Sequence, residues 1–259
     1  MQNAKFVSFD SKNDTFHRNI CSSTKGRIRR AVVERDLMEI PDIALNKKIS
    51  ILDMGCGDGC MSDFLLSLNP DHEVVLCDVS SDAVNLARER LGGRNCSFYV
   101  ADVFNLPSEI SSRRFDLVLC HAMIEWIREQ RECLDVLSEL LVPGGLLSLL
   151  YYNRDGLLYQ SLVVGNFPYV YSGLKSRHRQ KMTPPYPVDP HDMLRMCSEL
   201  GYEITEETGV RVFHDYMRHK DQYEDKFADI LHFELEYSRD DRFRRLGRYI
   251  HLMLRKPGQ

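Results

Sequence analysis

The chain contains no C-x-x-C pair. Its eight cysteines are scattered, the closest two being Cys56 and Cys60. That spacing suits neither a zinc site nor a disulfide framework, so reduced thiols and no bound metal are expected. No apolar run approaches the roughly 18 residues needed to cross a membrane. The opening stretch, MQNAKFVSFDSKNDTF, lacks the apolar core of a secretory signal, and a cytoplasmic location is expected. Internal repeats and low-complexity tracts are missing. Net positive charge is missing too: the balance is −4 over 259 residues, which argues against wholesale nucleic-acid binding.

What is present is ordinary globular material, 43% hydrophobic and 28% charged, enough to bury a real core. The charge is unevenly spread. Lys5, Lys12, Arg18, Lys25, Arg27, Arg29 and Arg30 face only Asp10 and Asp14 in the first 30 residues, and KSRHRQK (Lys175–Lys181) holds no acid. Such clusters form local basic patches on an acidic protein.

Apolar runs alternate with helical patterns, the signature of a parallel sheet flanked by helices. Strands are predicted at Ile49–Asp53, Glu73–Cys77, Ser97–Val100, Asp116–Cys120 and Leu146–Tyr151. Helices are predicted near Lys25–Ile40, Cys60–Leu68, Ser81–Leu91 and Arg131–Leu141, the last ended by the VPGG of Val142–Gly145. Further on come a helical run DGLLYQSLVVGN, a helix near Pro190–Leu200, β-rich stretches at Tyr202–Phe213 and Tyr249–Leu254, and a long helix from about His219 to Tyr237. The basic, proline-rich segment after the fifth strand reads as an insertion over the sheet's ligand edge, which the N-terminal segment could also cover.

The first strand runs into ISILDMGCGDGC (Ile49–Cys60), with glycines at 55, 57 and 59. A tight glycine turn after a first parallel strand lets backbone approach a nucleotide. A dinucleotide fingerprint would need glycine where Cys60 stands, and no Lys-Ser/Thr pair follows to make a P-loop. Asp53 would repel a phosphate and attract an ammonium group. Asp78 ends the second strand, where an acid can accept both hydroxyls of a ribose. Asp102, after the third strand, can accept from an adenine amino group. CHAMIEW (Cys120–Trp126) leaves the fourth strand at the same edge. In chain order these acids describe S-adenosyl-L-methionine, although each taken singly could be a capping acid. The motifs LDMGCGDG, LCDVS, ADV, FDLVLCHAMIEW and VPGG, over residues 49–151, resemble class I methyltransferases.

A closer resemblance lies outside the cofactor half. FHRNICSSTKGRIRRAV, LCHAMIEW, LSLLYYNRDGLLYQSLVVGNFPYV, TGVRVFHDYMR and LGRYIHLMLRKP resemble the bacterial tRNA 5-carboxymethoxyuridine methyltransferases, over essentially the whole chain. The resemblance implies an α/β, Rossmann-like class I fold: a seven-stranded, mostly parallel sheet with helices on both faces, an N-terminal helical cap and a basic insertion after the fifth strand. It implies one domain over 1–259, divided into a cap (1–48), a cofactor-binding core (49–151) and a substrate side with the C-terminal strands (152–259). It implies cofactor contacts at Arg29, Gly55, Cys56, Asp78, Ala101, Asp102, Val103 and His121, to which the loop reading adds Asp53 and Gly57. Cys56 departs from the glycine expected between the loop's first two glycines.

The implied acceptor is the carboxylate of a modified wobble uridine in a tRNA anticodon loop. A carboxylate of pKa about 4 is ionised at neutral pH and needs no general base. It needs a cation or donor to hold it, ideally an arginine fork. Arg211 and Arg29 lead, followed by Lys25, Tyr152, Asn153, His214 and Arg248. His214 on a strand and Asn153 in a turn also have structural readings, and Tyr249 and Phe213 read as core. The basic clusters, with Arg27, Arg30 and Arg218, could meet phosphates, and Tyr169, Tyr171 and Tyr186 could stack on bases. Two alternatives stand beside this: a methyltransferase for a small carboxylic acid or quinone precursor, and a non-catalytic S-adenosylmethionine binder.

Overall fold

The computed structural model describes residues 23–44, 46–175, 183–218, 223 and 225–258. Most of KSRHRQK, the first 22 residues and positions 219–222 lie outside the described residues. A seven-stranded sheet carries the fold: β1 (Ser50–Met54), β2 (Glu73–Asp78), β3 (Cys96–Val100), β4 (Phe115–His121), β5 (Leu141–Tyr152), β6 (Glu203–Val210) and β7 (Tyr249–Arg255). Their order is β3-β2-β1-β4-β5-β7-β6. β3, β2, β1, β4 and β5 pair in parallel, whereas β7 is antiparallel to both β5 and β6.

The helices are α1 (Thr24–Met38), α2 (Pro41–Ala44), α3 (Cys60–Leu68), α4 (Ser81–Leu91), α5 (Ser108–Ser111), α6 (Gln130–Glu139), α7 (Arg154–Val163), α8 (Phe167–Tyr171), α9 (Pro190–Glu199) and α10 (Phe227–Tyr237). Successive strand residues point to opposite faces, so one apolar run feeds two cores. Ile51, Val74 and Leu119 pack with Ile28 and Val32 of α1, Leu65 of α3 and Leu91 of α4. Leu52, Val75 and Val118 pack on the other face with Leu134 and Leu137 of α6 and Met193 of α9. Burial on both faces explains why the central strands read as unbroken apolar runs.

Three expectations are corrected. VPGG does not end a helix. α6 stops at Glu139, and Val142–Gly145 bulges out of β5, whose pairing with β4 jumps from Phe115↔Leu141 to Leu117↔Leu146. Pro143 has no N–H for the ladder and Gly144 turns at φ 76°. The strand expected to reach Phe213 ends at Val210, because Arg211 adopts φ 60°, and His214 lies in a 3-10 turn (His214–Tyr216). The long helix expected from His219 is described as a helix only from Phe227.

α1 is capped by Ser23, whose hydroxyl accepts from the Gly26 amide at 3.1 Å, and packs on one face of the sheet, with Gly26, Arg29 and Arg30 of its first turns at the cavity. The segment after α8 returns to the end of β5, where Val188 donates to Tyr152 O at 2.9 Å.

Candidate active site

Gly55, Gly57 and Gly59 all turn through positive φ (75°, 55° and 73°), which reverses the chain between β1 and α3. A Cβ on Gly55 would meet the Met123 side chain at 3.0 Å, whereas beyond Gly57 there is open space. The loop is tied to the next strand: Gly55 and Cys56 both donate to Cys77 O, at 2.8 and 3.1 Å. Gly57 donates to one oxygen of Asp78 at 3.0 Å and Ser80 to the other at 2.9 Å.

The turn after β3 is built the same way. Ala101 donates to Asp78 O at 3.0 Å, and Asp102 accepts from the Phe104 amide at 2.9 Å and from Asn105 Nδ2 at 3.1 Å. Asp53, at 3% exposure, accepts from Ser62 Oγ at 2.6 Å. Burial pushes its carboxyl up to about 7 against that hydrogen bond, with nearby Asp78 and Asp58 adding to the rise. Burial likewise pushes the Cys56 thiol up, so it behaves as a small apolar wall. His121 ends β4 with Nε2 2.8 Å from Ser148 Oγ, and burial holds its ring neutral.

Arg29, Asp53, Gly55, Cys56, Gly57, Asp78, Ala101, Asp102, Val103 and His121 border a single cavity of about 220 Å³. Met61, Val79, Met123 and Trp126 also line it; Met123 and Trp126 belong to the CHAMIEW stretch placed at this edge, whereas sequence reasoning missed Met61 and Val79, which carry no polar signal. The lining fits S-adenosyl-L-methionine: carboxylates that only accept, apolar walls for a base and thioether, and glycine amides already committed within the protein rather than free for a phosphate. Among the described residues, no group of three His, Cys, Asp or Glu is placed to hold a metal ion, and no helix is long and apolar enough to cross a membrane.

Arg30 also lines this cavity, whereas the predicted acceptor-side residues gather beside it. Arg248 Nε donates to Asp215 at 2.7 Å and its Nη1 to the Tyr152 hydroxyl at 3.0 Å. Arg211 lies 3.3 Å from the same Asp215 oxygen, and its Nε is buried with no hydrogen-bond partner among the described residues. Burial alone would raise the Asp215 carboxyl, but Arg211, His214 and Arg248 hold it well below the usual range. His214 Nδ1 stands 3.7 Å from Asp215.

Tyr249, read as core, joins the two regions. The Arg29 guanidinium lies over its ring at 5.9 Å and that of Arg211 at 5.3 Å, while the Tyr152 ring meets it edge-on at 5.4 Å. Asn153 is placed differently. It is fully buried, its Oδ1 accepts from the Asp155 amide to start α7, and its Nδ2 donates to Arg245 O and Gly247 O. Its amide is spent on the fold and offers nothing to an acceptor.

Sequence reasoning also missed Glu234. Its buried carboxyl accepts from three successive amides, Val212 at 2.8 Å, Phe213 at 3.2 Å and His214 at 2.8 Å, and so clamps the turn that carries Arg211. Glu125, between wall residues Met123 and Trp126, is buried and its carboxyl is pushed up to about 8 by that burial. Of the basic candidates, Lys25, Arg27, Arg30, Lys175 and Arg218 are exposed, as is Tyr171, while Tyr169 and Tyr186 are half-buried.

The sheet order and this cavity define a class I S-adenosylmethionine-dependent methyltransferase. A model of the methyltransferase domain family matches residues 45–186. The fold is shared by magnesium protoporphyrin IX methyltransferase from Synechocystis, solved with bound SAH (TM-score 0.62, 15% identity, 95% of this chain and 96% of that one). Plantazolicin methyltransferase, also in complex with SAH, is similar (TM-score 0.57, 18% identity, 94% and 91% covered). In sequence, the tRNA 5-carboxymethoxyuridine methyltransferase of Escherichia coli K12 is 36% identical over 253 residues, 96% of each chain. A malonyl-[acyl-carrier protein] O-methyltransferase of Ilyobacter polytropus is 35% identical, but over only 42% of this chain and 40% of its own. The chain belongs to the tRNA 5-carboxymethoxyuridine methyltransferase family.

Proposed function

We propose that this chain transfers a methyl group from S-adenosyl-L-methionine to the carboxylate of 5-carboxymethoxyuridine at the tRNA wobble position, forming a methyl ester in the cytoplasm. The observation that carries the reading is the Arg29–Tyr249–Arg211 stack, which joins the cofactor cavity to a partly unsatisfied arginine. The Escherichia coli relative, aligned over 96% of this chain, is named a tRNA 5-carboxymethoxyuridine methyltransferase, which supports the reading.

When bound, S-adenosyl-L-methionine supplies an electrophilic methyl group. Asp78 would accept from the ribose hydroxyls, Asp102 and the Ala101–Val103 turn would hold the adenine, and Asp53, Arg29 and His121 would surround the amino-acid end. Gly55, Cys56 and Gly57 let the backbone approach. On the acceptor side, Arg211 holds the carboxylate, with Tyr152 and His214 beside it. Arg248 neutralises Asp215, which would otherwise repel an incoming anion. Held in the cavity, the cofactor would supply that methyl group to an oxygen of the carboxylate that Arg211 positions, its sulfur keeping the bonding electron pair. No proton moves, so the residues work by alignment and exclusion of water. Exposed Lys175, Arg27, Arg30 and Arg218 meet anticodon-loop phosphates, and Tyr171 offers a face to a base.

The ester is chemically distinctive. Labelled methyl transferred to tRNA bearing 5-carboxymethoxyuridine should be released by mild alkali, which leaves methyl ethers and N-methyl groups intact. Alkali-stable label on tRNA would overturn the reading. Label taken only by small carboxylic acids would move the substrate to that class.

A further inference from the structure

A line of buried polar groups runs from the cavity wall across the sheet. His121 Nε2 lies 2.8 Å from Ser148 Oγ, Ser148 Oγ lies 2.7 Å from His251 Nε2, and His251 Nδ1 lies 2.7 Å from Asp36 Oδ2. The four groups come from β4, β5, β7 and α1, and Ser148, His251 and Asp36 are at most 2% exposed. The other Asp36 oxygen accepts from Arg35 and from Arg239, both at 2.8 Å. Asp36 is therefore an ionised acceptor at the far end of the line. The two imidazoles stand edge to face, 5.7 Å apart.

A serine hydroxyl has one proton, so it donates to one of these histidines and accepts from the other. Asp36 only accepts, which places a proton on His251 Nδ1. Arg35 and Arg239 already balance the Asp36 charge, so this ring needs only the one proton that Asp36 accepts: its Nε2 then accepts, Ser148 donates to it, and Ser148 accepts from a proton on His121 Nε2. That leaves His121 Nδ1, the nitrogen not spent on Ser148, as a bare acceptor beside the cavity.

We propose that Ser148, His251 and Asp36 are positioning residues for cofactor binding, and that they act by locking His121 in its Nε2–H form with Nδ1 presented as an acceptor. An acceptor suits a ligand that carries an ammonium and a sulfonium, and here the inference rests on the cofactor assignment. The charged groups around the line do not compete with it. Arg35, Glu39, Arg239 and Glu206 pair among themselves and with Asp36. Arg29 lies on the cavity side. Thr208, the β6 register partner of His251, has no charge. The second role of a histidine nitrogen set by the partner of the first is a general feature of imidazole sites.

Nitrogen-15 NMR of histidine-labelled protein at pH 8 separates the two tautomers by their ring shifts, with no cofactor present. The expected spectrum has His121 protonated on Nε2, and an Nδ1–H form would overturn the proposal. In Ser148→Ala the lock is gone, so His121 should become a mixture of tautomers and the affinity for SAH in calorimetry should fall about fivefold, the loss of one modest hydrogen bond. An unchanged tautomer in a folded Ser148→Ala protein would also overturn it. If that variant fails to fold, the wild-type spectrum decides alone. Should SAH fail to bind wild type while the Nε2–H form is seen, the relay stands and the cofactor assignment falls.

Discussion

The Gly57 amide donates to the Asp78 carboxylate at 3.0 Å, so the loop after β1 and the acid ending β2 form one unit. Asp78 therefore serves twice, as a brace for the loop and as the acceptor proposed for ribose hydroxyls. Asp78→Ala should weaken SAH binding about 30-fold or more, as expected for losing hydrogen bonds to a charged acceptor. Calorimetry showing less than a threefold change would remove Asp78 from the cofactor site.

Arg211 stands outside the cavity lining and shares the Tyr249 ring with Arg29. Arg211→Ala should lower kcat/KM for tRNA about 30-fold while SAH affinity changes less than about twofold. Arg211→Lys should recover only part of the loss, because an ammonium lacks the planar fork. Equal loss of cofactor affinity would show that Arg211 serves the cofactor instead.

Asp53 gives a pH dependence with an unusual sign. Its folded carboxyl is pushed up from 3.8 to about 7, so the folded state holds a proton that the unfolded chain has already released. Stability from this group is fully present below pH 4 and is lost as pH rises through about 7. Urea unfolding between pH 5 and pH 8 should show a smaller decline in Asp53→Asn than in wild type. Identical slopes would mean that Asp53 stays ionised in the fold.

Glu234 clamps three amides of the Arg211 turn. Glu234→Ala should cost about 2–4 kcal/mol of stability, since buried donors lose their acceptor. Glu234→Gln should retain part of the clamp. A fully stable Glu234→Ala with normal turnover would show that the turn holds itself.

Much of this was legible in the sequence because the cofactor chemistry is local. Asp53, Asp78, Asp102 and His121 each end or follow a successive strand, and parallel topology must bring such ends to one edge. α3 and α4 match the predicted bounds Cys60–Leu68 and Ser81–Leu91: the left-handed Gly59 of the glycine loop sets the start of α3, and the Ser80 hydroxyl caps α4. Long-range relations were not legible. Asp36, Ser148 and His251 meet only after β7 inserts beside β5. Glu234 reaches its turn from a separate helix, and the left-handed Arg211 that ends β6 carries no local signature. Asn153 looked available because a turn asparagine shows its polarity in sequence but not its partners.

The most direct test is mass spectrometry of the wobble nucleoside after incubating the protein with S-adenosyl-L-methionine and tRNA carrying 5-carboxymethoxyuridine. The nucleoside should gain one methyl group, and the gain should form about 30-fold more slowly with Arg211→Ala under single-turnover conditions. An unchanged nucleoside, with SAH binding confirmed on the same sample, would contradict the proposed acceptor.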